Sequence, residues 1–196
     1  MRYSKLIIFV FLLALSIAIV SCGSGQKELV SKFEAAVNSH SVEDVMSFYD
    51  RDVTVNMGRQ STNIDREDMR PLAEWDSIVN TQIRLDIIRE NGDSIIGRKI
   101  EKSEWFRLYG LDSVIFDPWI ILVEDDVITT IYSQLTIESA TRMSQAASSV
   151  HEWAMQERRK ELNELMPEGT FRYGTEAAIR WLKLLREWRK ETGQDQ

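Results

Sequence analysis

Thr81-Gln82-Ile83-Arg84-Leu85-Asp86-Ile87-Ile88-Arg89-Glu90-Asn91-Gly92-Asp93-Ser94 is the stretch on which the reading of the fold turns. Ile83, Leu85 and Ile87 alternate with Arg84 and Asp86, the period of a strand with one apolar face. Asn91-Gly92 supplies the positive φ angles of a two-residue hairpin turn. A long return strand is expected over 94–108, a turn at Gly110-Leu111-Asp112 and a third strand over 113–123. Pro118 marks an edge position or a bulge in that third strand. Glu124-Asp125-Asp126 turns the chain into a last strand over 127–136. Four strands joined by short turns form an antiparallel meander with one buried and one wetter face.

Upstream the period is helical. Leu29, Val30, Phe33, Ala36 and Val37 predict a first helix over 27–39. Ser41 and Asp44 form a capping box for a short second helix carrying Val42, Val45, Met46 and Tyr49. Asp50-Arg51-Asp52 reads as a turn, Val53 to Met57 as a strand and 58–65 as a polar loop. Met69, Leu72, Trp75 and Val79 mark a third helix, with Pro71 expected in its first turn. Downstream, Met143, Ala146, Ala147, Val150, Trp153 and Ala154 form an apolar stripe that fades and resumes at Leu162, Leu165 and Met166. Pro167-Glu168-Gly169 stops that helix, and Thr175 is placed to cap a final one carrying Trp181, Leu185 and Trp188.

The expected class is α+β: a cone-shaped, curved antiparallel sheet packed on amino-terminal helices, with a two-helix carboxy-terminal extension. His40-Ser41-Val42-Glu43-Asp44, then Tyr49-Asp50-Arg51-Asp52-Val53-Thr54-Val55, then a helix and a meander, resemble the SnoaL-like branch of the nuclear transport factor 2-like superfamily. The resemblance spans Leu29 to Glu138 and implies a cavity at the cone's wide mouth, with dimerisation through the convex face. It divides the chain into 27–138, the domain, and 139–196, a helical extension the resemblance does not explain.

Several members of that superfamily move protons at carbon, which requires a carboxylate in a dry pocket and a donor for the developing oxyanion. The strand carboxylates here are Asp86, Glu101, Glu104 and Asp117, and the donors are Tyr49, Tyr109 and Tyr132. Glu104 beside Trp105 ranks first, Asp117 beside Pro118 second, and Tyr132 is the preferred donor. Trp75, Trp105 and Trp119 are candidate walls for a flat apolar ligand, against the simpler reading that they fill the core. His40 and His151 are too far apart for a metal pattern, so no metal or cofactor is expected. GxGxxG, GxxxxGK and GxSxG motifs are absent.

The amino terminus speaks about place. Arg2 and Lys5 precede an uncharged run from Leu6 to Val20, followed by Ser21 and the only cysteine, Cys22. This is the pattern of a signal peptide over 1–21, and the run is short of the roughly 20 residues a spanning helix needs. Ile19-Val20-Ser21-Cys22 resembles the bacterial lipoprotein signal, which implies cleavage, acylation of Cys22 (palmitate among the chains) and anchoring in the cell envelope. Residues 22–26 read as a flexible tether, and Gly23 after the cysteine fits the periplasmic face of an outer membrane where two membranes exist. Without Arg2 and Lys5, 22 basic residues face 31 acidic ones, a net charge of −9 that argues against nucleic-acid binding. The basic final helix reads either as a contact for anionic lipid heads or as a face docked on an acidic body.

Three functions stay open. Binding of a small apolar molecule or a protein partner without catalysis ranks first. An isomerase, cyclase or dehydratase using a pocket carboxylate ranks second, and a structural or assembly role third. A buried carboxylate within hydrogen-bond reach of a tyrosine at the cavity floor would favour the enzyme, and a cavity lined only by aliphatics and Trp would favour binding.

Overall fold

The computed structural model describes residues 22–57 and 60–194; the expected signal peptide over 1–21 lies outside the described residues. The chain opens with α1 (Cys22–Ser39) and α2 (Val42–Ser47), then β1 (Tyr49–Met57), β2 (Gln60–Asp65) and α3 (Arg66–Ile78). β3 (Gln82–Asn91), β4 (Ser94–Lys102), the short α4 (Glu104–Leu108), β5 (Val114–Glu124) and β6 (Val127–Leu135) follow. α5 (Ile137–Glu157), α6 (Arg159–Leu165) and α7 (Thr175–Thr192) complete the α+β fold.

One curved, open sheet has the strand order β2-β1-β6-β5-β4-β3. β3 to β6 pair antiparallel in sequence, as the hairpin signal and the alternation require. β1 joins β6 in parallel, and β2 pairs antiparallel to β1 at the far edge. Pairing slips by a residue between Phe116 and Trp119, so Pro118 sits at a bulge of an interior strand rather than at an edge. Another slip falls in the β3–β4 pairing between Ile87 and Arg89, beside Gly97, whose hydrogen faces the Asp86 carbonyl so closely that a Cβ would stand 2.6 Å from that oxygen.

β3 is the other edge, and α1 seals it. The Asn38 side chain donates to the Ile83 carbonyl at 2.9 Å and accepts from the Ile83 N–H at 2.7 Å. Glu34 Oε2 accepts from the Leu85 N–H at 2.8 Å. These side chains satisfy backbone groups that an open edge would offer to another chain.

Two apolar clusters hold the body together. The first lies between α1–α3 and the concave sheet face, around Val30, Val53, Ile95, Ile121 and Ile128. The second joins α3 and α4 to the carboxy-terminal helices, around Val79, Val114, Val150, Leu184 and Leu185. Residues 139–196 therefore bury apolar surface that the cone itself supplies. The Ser139 hydroxyl also accepts from the Ile115 N–H at 3.0 Å, which ties α5 to β5.

Several local expectations are corrected. α1 begins at Cys22 and not at residue 27, so the residues read as a tether form its first turns. β1 starts at Tyr49, which pairs with Ile128, so Asp50-Arg51-Asp52 belongs to a strand and not a turn. The polar stretch before α3 is the edge strand β2, whose outward position removes any need for apolar alternation. Asp65 caps α3 by accepting from the Glu67 N–H, so the helix starts earlier and Pro71 lies inside it rather than in its first turn. The expected long strand over 94–108 ends at Lys102, because Ser103 accepts from the Phe106 N–H at 3.2 Å and starts α4. The first arm of the extension breaks at Arg158.

Candidate functional site

The cone is hollow. An inner chamber of about 100 Å³ lies among Phe33, Val37, Tyr49, Met69, Trp119 and Ile121. An outer vestibule of about 560 Å³ is walled by Trp75, Trp105, Phe106, Phe116, Phe171 and Tyr173. Leu72, Asp76, Lys99, Glu101 and Ser133 line both, so they form the throat between them. A flat apolar body in the vestibule would meet a small charged cluster at its inner end.

α3 and β4 build that cluster. Asp76 sits one turn after Leu72 and one turn before Val79, on the helix face that covers the sheet. Its carboxylate accepts from the Thr81 hydroxyl at 2.9 Å, and the Thr81 N–H donates to the Asp76 carbonyl at 2.8 Å. Lys99 and Glu101, two apart on β4, project to the same face and pair at 2.7 Å with both side chains mostly covered. The Lys99 ammonium also stands 4.1 Å from the centre of the Phe116 ring.

Burial, seconded by the negative Glu101, pushes the Asp76 carboxyl up to about 7, against the pull of Lys99 and the Thr81 hydrogen bond. The group therefore exchanges its proton near neutrality, as a general acid or base must. Burial, together with the charge of Asp76, also pushes the Tyr49 hydroxyl in the inner chamber upward, so it stays protonated. Among the described residues, no group of three or more His, Cys, Asp or Glu side chains is arranged to hold a metal ion.

The three tryptophans read from the sequence lie on these walls, Trp75 and Trp105 in the vestibule and Trp119 in the inner chamber. Glu101 is at the throat. Glu104, on α4 rather than a strand, is held by Arg186 at 2.6 Å. Asp117 pairs with Arg98 at 3.1 Å, and Asp86 with Arg84 at 3.2 Å. The Tyr132 hydroxyl donates to Gln134 Oε1 at 2.8 Å on the sheet. Tyr109 is buried against the Trp105 ring, their centres 4.8 Å apart. None of Glu104, Asp117, Asp86, Tyr132 and Tyr109 borders either chamber.

Sequence reasoning did not reach Asp76, because it sought carboxylates on strands. A signal was present: Asp76 falls on the stripe of Met69, Leu72 and Val79, a charge on an otherwise apolar helix face.

No protein-family model matches the sequence, and none of the curated proteins matches it. Solved structures do. An epoxide hydrolase/cyclase-like enzyme, SalBIII, involved in pyran ring formation in the polyether salinomycin, aligns with a TM-score of 0.50 at 13% identity, covering 58% of this chain and 92% of its own. A protein from Kribbella flavida aligns with a TM-score of 0.51 at 10% identity, covering 64% of this chain and 95% of its own. A protein of unknown function from Cytophaga hutchinsonii, described as nuclear transport factor 2-like, aligns with a TM-score of 0.46 at 11% identity over 59% of this chain and 93% of its own.

The fold is the one these solved structures share. At these identities the likeness is one of fold, and chemistry has to be argued from the throat itself. In this cone the throat lies between α3 and the sheet, and the carboxy-terminal residues Phe171 and Tyr173 add a wall to the vestibule.

Proposed function

We propose that the chain is an acid–base enzyme that moves a proton on a small, flat, largely apolar molecule, as an isomerase or cyclase does. The observation that carries this reading is Asp76: a covered carboxyl at the junction of two chambers, poised to change protonation at about 7. With substrate in the vestibule, ionised Asp76 takes a proton from a carbon next to a carbonyl. The electron pair moves to the carbonyl oxygen, and the adjacent Lys99 ammonium favours the negative charge. Protonated Asp76 then returns the proton at a second carbon, so nothing is consumed.

A panel of flat β,γ-unsaturated ketones tests the reading, with conjugation followed by absorbance. The wild-type rate is expected to rise with pH through about 7, and Asp76→Asn to lose roughly 100-fold or more. Equal rates in the two proteins would overturn it. Binding without turnover is the second reading, and the observation favouring it is that Lys99 is already neutralised by Glu101. In that case the ketones bind to both proteins and emerge unchanged.

We propose in addition that the protein works outside the cytoplasmic membrane on acyl chains carried by Cys22. Arg2, Lys5, the Leu6–Val20 run and the Ser21-Cys22 junction support this. Among the described residues no helix is long and apolar enough to cross a membrane. Cys22→Ala is expected to move the protein from the membrane fraction to the soluble one; retention would defeat the proposal.

A further inference from the structure

The outer wall of the vestibule comes from an unusual source. Phe171 and Tyr173 lie between a single 3₁₀ turn, Pro167–Gly169, and α7, in a stretch without helix or strand. Gly169 (φ +77°) and Gly174 (φ +105°) bracket it, both in the left-handed region that glycine enters without strain. The polar tie at its end is long, Thr175 Oγ1 donating to Glu74 Oε2 at 3.5 Å.

Ring contacts hold the stretch down. Phe171 stacks on Trp181 at 5.3 Å and 15°, and meets Trp75 at 5.1 Å and Trp105 at 5.8 Å edge-on. Tyr173 meets Trp75 at 5.7 Å. Trp105 and Trp181, whose rings both touch Phe171, have buried indole N–H groups with no hydrogen-bond partner. An unpaired buried donor disfavours the arrangement that buries it, so letting water in would relieve both. On the outer side, Arg172 and Tyr173 border a cleft of about 200 Å³, which leaves room for the stretch to swing.

We infer that Thr170–Tyr173 is a hinged gate over the vestibule: Gly169 and Gly174 are its hinges, Phe171 is its bolt, and a ligand enters by displacing it. This rests on the reading of the vestibule as the ligand site. It accounts for two indoles with orphaned N–H groups packed on one phenylalanine and for glycines at both ends of the same short stretch.

The test is stopped-flow binding of the neutral apolar dye N-phenyl-1-naphthylamine to the full chain. In the wild type the observed rate is expected to level off at high dye, the plateau being the opening rate. Phe171→Ala removes its ring contacts with Trp75, Trp105, Tyr173 and Trp181 and is expected to raise that plateau by about tenfold or more and to increase acrylamide quenching of the tryptophans. Gly169→Ala, which leaves the rings in place, is expected to shift the plateau with little change in affinity. A rate linear in dye and identical in all three proteins, or dye excluded from all three, overturns the gate. Equal ketone turnover in wild type and Asp76→Asn, beside a raised dye plateau in Phe171→Ala, would fail the acid–base reading and leave the gate standing.

Discussion

Asp76→Asn is expected to make the protein more stable at pH 8. Asn keeps the shape of the side chain, and its carbonyl oxygen accepts from the Thr81 hydroxyl as the carboxylate does. The change removes a charge that the fold holds at a cost. The carboxyl titrates at 3.8 ordinarily and at about 7 in the folded chain, a gap worth about 4 kcal/mol. Because the folded value is the higher, the folded state binds the proton more tightly than the unfolded one. The contribution of neutral Asp76 is thus present below about pH 4 and is lost as pH rises through 7. Wild type and variant should agree within ~1 kcal/mol at pH 4 and diverge to about 4 kcal/mol in favour of the variant at pH 8, roughly 8–16 °C in Tm. Urea unfolding at pH 4, 6 and 8 measures this. A variant no more stable than wild type at pH 8 would refute the placement of a strained carboxyl at the throat.

Glu101→Gln should lower the pH at which Asp76 titrates, since Glu101 raises it and a freed Lys99 lowers it further; carboxyl carbon NMR reads the shift. The same change leaves a mostly covered ammonium without its partner and should cost about 1–3 kcal/mol in urea unfolding. Gly97→Ala places a methyl 2.6 Å from the Asp86 carbonyl oxygen, a backbone atom with little freedom, and should cost about 1–3 kcal/mol. Leu185→Ala should cost about 2–5 kcal/mol and leave one unfolding transition, because the second apolar cluster joins α7 to α3 and α4; two separate transitions would mean that the extension folds alone.

The meander was readable because its alternation and its bulge proline are local signals; the hairpin turn falls at Gly92-Asp93, one residue beyond the Asn91-Gly92 reading, because Asn91 still pairs with Ser94 and Gly92 alone takes the positive φ. β2 was not: an edge strand with polar residues on both faces carries no period, and the partner that makes it a strand is β1. The 94–108 segment was misread at Ser103, where one hydroxyl cap outweighs strand-like composition and turns Glu104 and Trp105 onto a helix. The tryptophans were legible as aromatics within the cone; Trp75 and Trp119 are buried members of the two apolar clusters as well as neighbours of the chambers. The acid–base group was hidden by an assumption about where carboxylates sit, although its position on the apolar stripe of α3 was in plain view. The outer wall was not foreseeable, since Phe171 reaches the vestibule only through the packing of α7 on α3 and α4.

The direction of α1 has a consequence for how the molecule stands. Near its start, Gln26 donates to the Gly92 carbonyl at 3.0 Å and Lys27 pairs with Glu90 at 2.8 Å, at the tip of the β3–β4 hairpin. Near its end, Asn38 holds Ile83, beside the inner chamber. An 18-residue helix rises about 27 Å, so residue 22 lies far from the end of α1 that flanks the inner chamber. A protein fastened at Cys22 would stand on the β3–β4 hairpin end of α1 with the inner chamber held away from the bilayer. Solutes arriving from the aqueous side would find it first, while anything dissolved in the supporting bilayer would have to leave the membrane and climb the length of α1.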